Sequence, residues 1–142
     1  MTRSQPLPDL GNPESSGLVS LTADQVAKLR KAAVSEGLCL LELPLQGVHD
    51  ETSLYAACGH SLHLPEWFGH NADALVDCLT DLSWLDTDGY VLILPDQASF
   101  AAAHPGLSAL LHELLLDVCL YWRDEGRLFL VASEAAPNQP YP

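Results

Sequence analysis

The stretch Leu64-Pro-Glu-Trp-Phe-Gly-His-Asn-Ala-Asp-Ala-Leu-Val-Asp-Cys-Leu-Thr80 carries more structural information than any other part of this 142-residue chain. Asn71 is a good N-cap, and it predicts a helix that runs to about Leu82. At about 100° per residue, the apolar side chains of this helix share one face. Asp73 and Asp77 point away from that face, one turn apart, and no Lys or Arg near them in sequence relieves their repulsion.

Short apolar runs alternate with helical patterns around this stretch. Three runs have the length and composition of buried strands: 38–43, 90–94 and 127–132. Helical patterns occupy the intervals, at about 50–62, 71–82, 98–103 and 107–125. Thr22 and Gln25 form a capping box, which predicts an additional N-terminal helix, and Asp50 is a candidate N-cap for the helix at about 50–62. The alternation predicts an α/β fold, a three-stranded parallel sheet packed with helices.

The length is that of one domain with flanking segments. We divide the chain into four parts: a disordered tail at 1–17, the additional helix at 18–37, the main domain at 38–133 and a disordered tail at 134–142. The tails are assigned from their Pro, Gly, Ser and Asn content.

The charge of the chain is strongly negative and unevenly distributed. Six Lys and Arg stand against 19 Asp and Glu, for a net charge of −13. No Lys or Arg occurs between Ala32 and Trp122, a stretch that holds 13 acidic residues. Such a surface repels nucleic acid and anionic lipid, and it attracts a basic protein. We therefore expect a protein partner, with no direct nucleic-acid or membrane binding.

The four cysteines lie far apart, among apolar neighbours: Cys39, Cys58, Cys78 and Cys119. This pattern indicates reduced core residues rather than a disulfide framework. The chain start has no apolar leader, and no apolar run approaches the roughly 18 residues of a membrane span. We expect a cytoplasmic protein without a cofactor.

Residues 64–80 resemble the signature of the barstar family, intracellular inhibitors of barnase-type ribonucleases. The order of predicted elements from 38 to about 133 agrees with that family as well. The resemblance implies that the loop before the 71–82 helix and its exposed face plug a ribonuclease active site. It further implies that Asp77 occupies the place of a phosphate, and that Asp73 beside it pairs with another cation.

The same resemblance assigns the remaining partner-binding residues. They come from the loop and the same helix: Trp67, Phe68, Gly69, Asn71 and Val76. Val76 stands where the family has a large aromatic residue. The stretch His104-Pro105-Gly106 stands where the family has an acidic contact. Both departures would shrink or alter the interface, so the partner is a basic ribonuclease or nuclease toxin whose identity stays open.

Three alternatives remain beside inhibition. An enzyme is disfavoured because Asp73 and Asp77 share one helix face and no nucleophile or nucleotide-binding motif is present. A zinc site at His60, His63 and His70 matches no strong ligand spacing. A non-inhibitory acidic interaction module of the same fold is the main alternative.

Self-association is possible but not predicted. It would use three leucines on the last helix, Leu115, Leu116 and Leu120. We expect the additional N-terminal helix to cover them.

Overall fold

The computed structural model describes residues 7–83, 85 and 87–135. A parallel sheet lies at its centre, with strand order β1-β4-β3-β2. The strands are β1 (Gly17–Leu21), β2 (Cys39–Glu42), β3 (Gly89–Leu94) and β4 (Leu128–Glu134). The α-helices of the described residues are α1 (Ala23–Ser35), α2 (Glu51–Ser61), α3 (Ala72–Leu79), α4 (Gln97–Ala103) and α5 (Pro105–Asp124). The predicted α/β class, its parallel sheet and its three expected strands are confirmed.

The sheet has a fourth strand that the sequence did not predict. β1 pairs in parallel with β4, from Gly17 opposite Leu130 to Leu21 opposite Glu134. The run at 18–21 is short and follows a Pro- and Ser-rich segment, so its strand character depends on pairing with β4. Residues 18–37 are therefore a strand followed by a helix, rather than a helix alone.

Ordered structure extends into both segments that were predicted to be disordered, 1–17 and 134–142. A 3-10 helix spans Pro13–Ser15, and Leu10 is buried beside it. Glu134 is the last residue of β4, and the Ala135 N–H donates to the Leu21 carbonyl at 2.8 Å. The predicted tail residues 1–6 and 136–142 lie outside the described residues.

Helix α1 covers one face of the sheet. Its buried residues Val26, Leu29 and Ala33 join a core cluster with side chains from β3 and β4. The alternate side chains of these strands face the opposite side, where α2, α3, α4 and α5 form the larger core cluster. The expectation that the N-terminal helix covers the leucines of the last helix is wrong, because α1 packs on the other face. Leu115 is buried within the larger cluster, whereas Leu116 remains 41% exposed.

Local capping signals predicted three helix starts correctly. Thr22 and Gln25 form the capping box of α1, and Asp50 with Ser53 forms another at α2. Asn71 caps α3. At α5 the helix begins at Pro105 itself, since proline at the first helical position needs no N–H partner.

Candidate functional site

Helix α3 is held at its N-terminus by one side chain that makes two bonds. The Asn71 Oδ1 accepts from the Ala74 N–H at 2.8 Å, and Nδ2 donates to the Gly69 carbonyl at 3.3 Å. The first bond satisfies an N–H that has no partner within the helix. The second joins the helix to the preceding loop. Asn71 therefore fixes the position of the loop relative to the helix.

Two hydrogen bonds hold the C-terminus of α3, one from Thr80 directly after the helix and one from Trp122 on α5. The Thr80 hydroxyl donates to the Val76 carbonyl at 2.7 Å. The indole N–H of Trp122 donates to the Leu79 carbonyl, also at 2.7 Å, inside the core. Trp122 is fixed in turn by Tyr90, whose ring centroid lies 5.2 Å away. A buried donor thus satisfies one of the carbonyls that a helix end leaves unpaired.

Helix α3 ends at Leu79 and not at the predicted Leu82. Leu82 adopts a left-handed backbone conformation, with φ of 45°, and its side chain is 1% exposed. The chain turns through residues 80–82, and the turn carries Leu82 into the core. The apolar spacing predicted a longer helix because Leu82 is buried. A turn, and not a further helical turn of α3, brings it into the core.

The loop before α3 rests on Phe68. The Phe68 N–H donates to the Pro65 carbonyl at 2.9 Å, and its side chain is only 6% exposed. The ring packs over Gly59 of α2, where a Cβ atom would lie 3.4 Å from Phe68 Cδ2. The centroid of the His70 ring lies 4.8 Å from that of Phe68. Phe68, assigned to the binding surface from the sequence, faces inward and supports the loop.

Gly69 and His70 join the loop to the helix by a narrow turn. A Cβ atom on Gly69 would lie 3.3 Å from the Ala74 Cβ and 3.4 Å from Asn71 Nδ2. His70 has a left-handed backbone, with φ of 52°. Gly69 thus permits a close approach within the protein itself, against the cap of α3.

The outer face of α3 presents an unneutralised pair of carboxylates. Asp73 and Asp77 are both exposed. Neither carboxylate makes a hydrogen bond or ion pair with the part of the chain that the structure describes. The ion pairs found there lie elsewhere, Arg30 with Glu42 at 2.8 Å and His49 with Asp50 at 3.6 Å. The pair is free to accept cationic groups from outside.

The other predicted site residues lie in the loop before α3, at its N-cap and on α3 itself. Trp67 is 62% exposed, one of the most exposed large hydrophobic side chains described. Gly69 and Asn71 are exposed, while Val76 is partly buried against the larger core cluster. Five of the seven predicted residues are thus exposed, Val76 is partly buried and Phe68 is buried. Sequence reasoning missed Gly59 and Trp122, whose roles depend on contacts between separate helices.

Residues 104–106, which differ from the acidic contact of the family signature, lie at the start of α5. The ring of His104 packs 5.7 Å from Phe100 of α4, and Pro105 and Gly106 are exposed. No acidic side chain stands at these three positions. This turn therefore adds no carboxylate to the pair on α3.

The cysteines are thiols whose pKa values are raised by burial, which disfavours the reactive thiolate. All four are free, and Cys58, Cys78 and Cys119 are buried. Burial raises the pKa of Cys58 to about 12 and that of Cys119 to about 12. Burial also raises the pKa of Cys78, and the charges of Asp77 and Asp81 raise it further.

Two other features of the described residues bear on the kind of site. No three His, Cys, Asp or Glu side chains there converge into a group suited to a metal ion. None of the described helices is both long and apolar enough to span a membrane.

These features define an acidic α/β domain with a parallel sheet and a braced helix that presents carboxylates outward. The family model described as Barstar (barnase inhibitor) matches residues 38–134. The chain belongs to the barstar family. No individual curated protein matches the chain. Strand β1 and helix α1 precede the matched region, so this chain adds a strand and a helix to the family domain.

Proposed function

We propose that this protein is a non-catalytic inhibitor of a basic ribonuclease or nuclease toxin. The observation that carries the proposal is the exposure of Asp73 and Asp77 on a braced helix, without cations from the described chain. Both residues lie within the segment that the family model matches. The protein acts stoichiometrically, as an immunity protein that protects the producing cell.

The chemistry of a ribonuclease supports carboxylates as the blocking groups. Such an active site is cationic, because it binds phosphate and stabilises negative charge in the transition state. A carboxylate held at the phosphate position satisfies those cations but offers no bond to cleave. Asp77 takes this position, and Asp73 pairs with a second cation. Because the helix that carries both residues is held in place before binding, little backbone entropy is lost on association.

The remaining surface contributes shape and orientation. Trp67 supplies an aromatic contact beside the carboxylates, since most of its side chain is exposed. Gly69 and Asn71 keep the loop in register with α3. Val76 offers a smaller contact. Phe68 acts from below by holding the loop against α2.

The charge of the whole chain supports fast recognition of a basic partner. A net charge of −13 attracts a cationic nuclease and raises the association rate. Free, buried thiols suit a reducing compartment, so we place the protein in the cytoplasm.

A second candidate is a non-inhibitory acidic module that binds another basic protein. The partly buried Val76 and the absence of an acid at 104–106 favour it, because they reduce the surface available to plug a deep cleft. Both candidates use the same face of α3 and differ in whether the bound partner loses nuclease activity.

The test is a pull-down from the native cell followed by a nuclease assay of the eluate. The wild type is compared with the double variant Asp73→Asn/Asp77→Asn. The matched control is Glu113→Gln/Asp117→Asn, which removes the same charge from two exposed positions one turn apart on α5. We expect the wild type and the α5 control to recover a basic nuclease. Its nuclease activity should be inhibited when more of the wild-type protein is added. Equal recovery by the α3 variant would refute the site, and a partner without nuclease activity would favour the second candidate.

A further inference from the structure

The segment that precedes the family domain forms a surface of its own. Helix α1 carries three of the six Lys and Arg of the chain: Lys28, Arg30 and Lys31. Between α1 and β2 lies a shallow groove of about 400 Å³, lined by Arg30, Lys31, Val34, Ser35 and Leu40. Val34 is 67% exposed, more than any other large hydrophobic residue described. We call these five residues the α1–β2 groove.

The strand beside this groove is an open edge of the sheet. Among the described residues, β2 is the last strand on its side of the sheet and pairs with β3. The Leu43 N–H donates to the Ile93 carbonyl at 2.9 Å, so the backbone of Leu43 points toward β3. Because the direction alternates along a strand, the N–H and C=O groups of Leu40 and Glu42 point away from the sheet. These groups form a template for one more strand.

The side chains beside the template combine apolar and cationic character. Leu40 lies on the face covered by α1, and Val34 projects beside it. Arg30 pairs with Glu42 at 2.8 Å, whereas Lys31 is exposed and makes no ion pair within the described chain. Every second side chain of an added strand would face α1, so an apolar side chain would contact Val34 and Leu40 while an acidic side chain two residues along the strand would lie near Lys31.

We propose that the α1–β2 groove binds an extended acidic segment of a partner protein by strand addition to β2. The backbone groups of Leu40 and Glu42 provide the hydrogen bonds. Val34 and Leu40 receive an apolar side chain, and Lys31 pairs with a carboxylate. The basic helix selects the opposite charge from the one that α3 selects, and α1 lies on the other face of the sheet. The groove therefore recruits a partner different from the nuclease.

Charge argues against the other occupants. Residues 1–6 and 136–142 of this chain contain no Asp or Glu, so they lack complementary charge. A second copy joined edge to edge through β2 would bring the α1 cations of both copies to one face of a shared sheet. Like charges there oppose such a dimer.

The experiment is an NMR titration of the ¹⁵N-labelled full chain. The probes are the acetylated, amidated pentapeptide Glu-Thr-Val-Thr-Glu, whose Val and Glu side chains share one face, its Lys-Thr-Val-Thr-Lys counterpart, and the acidic peptide with an N-methylated backbone. We expect weak binding of the acidic peptide, with shifts of the amide signals of Leu40 and Glu42. N-methylation and the basic sequence abolish these shifts. Equal shifts with acidic and basic peptides, or none with any peptide, would overturn the proposal.

Variants on one helix separate the groove from general electrostatics. Lys31→Gln and Val34→Ser each weaken binding of the acidic peptide by about tenfold, or about 1.4 kcal/mol. Lys28→Gln removes the same charge from a position outside the groove and changes affinity by less than about twofold. Equal effects at positions 28 and 31 would contradict the groove, as would dimers in sedimentation. Asp73→Asn/Asp77→Asn leaves peptide binding unchanged, so this test is independent of the proposed inhibition.

Discussion

The indole N–H of Trp122 donates to the carbonyl of Leu79 at 2.7 Å, which joins α5 to the last turn of α3 across 43 residues of sequence. The bond lies in the core, so breaking it leaves a buried carbonyl without a partner. A helix of eight residues is too short to be stable by itself. We therefore regard this bond as a main reason why α3 is held in one orientation.

Trp122→Phe tests this bond. The substitution removes the donor and some packing volume, and we expect the free energy of unfolding to fall by about 2 kcal/mol. Urea denaturation measures the change. Trp67→Phe, the same substitution at a side chain that is 62% exposed, changes stability by less than about 0.5 kcal/mol. Equal losses from the two variants would show that the bond contributes nothing specific.

Leu29→Ala tests whether α1 is an integral part of the domain. Leu29 is fully buried between α1 and the sheet, so its truncation lowers the free energy of unfolding by about 2–5 kcal/mol. The matched control is Val34→Ala on the same helix, for which we expect less than about 0.5 kcal/mol. Unfolding should remain a single transition by circular dichroism and fluorescence. Separate transitions would mean that α1 folds independently of the family domain.

Gly69→Ala tests the narrow turn before α3. An added methyl group crowds Ala74 Cβ at 3.3 Å and disturbs the Asn71 cap, so both stability and nuclease binding decrease. Gly106→Ala is the control, because a Cβ there meets nothing within 4 Å and α5 gains a better helix former. Thermal unfolding should move in opposite directions for the two variants. A stabilised Gly69→Ala would contradict the tight contact.

The raised pKa of the Cys58 thiol leads us to expect that the protein is less stable at high pH. Burial raises the pKa of its thiol from 9.0 to about 12 in the folded protein. The unfolded chain therefore releases this proton first, and its contribution to stability is present below pH 9.0 and lost as the pH rises toward about 12. Cys58→Ala removes this contribution, so its free energy of unfolding depends less on pH across that range. An identical pH dependence in both proteins would contradict a buried, neutral thiol.

The parts of the fold that could be predicted from the sequence are those with local causes. Thr22, Asp50 and Asn71 cap their helices through side chains that bond within three residues. The apolar runs at β3 and β4 are buried on both faces, and their composition indicated strands directly. The carboxylate pair on α3 was predicted from helical periodicity alone.

The parts that could not be predicted depend on contacts between distant residues. β1 becomes a strand because β4 offers it an edge. α3 stops at Leu79 where Trp122 and the turn at Leu82 meet it. Phe68 faces inward because Gly59 of α2 leaves room for its ring. None of these contacts has a signal in the local sequence.

The central claim is that Asp73 and Asp77 occupy the cationic cleft of a nuclease. The most direct measurement is the Kd of the recovered nuclease for three proteins, at low and at high salt. They are the wild type, Asp73→Asn/Asp77→Asn on α3, and Glu113→Gln/Asp117→Asn on α5. We predict that the binding free energy of the α3 variant is weaker by at least about 2 kcal/mol, which raises its Kd roughly 30-fold. Most of this change comes from faster dissociation. The α5 variant should associate more slowly, mainly at low salt, and its dissociation rate should not change. Equal losses in the two variants would contradict the claim, since net charge and not the α3 site would then explain binding.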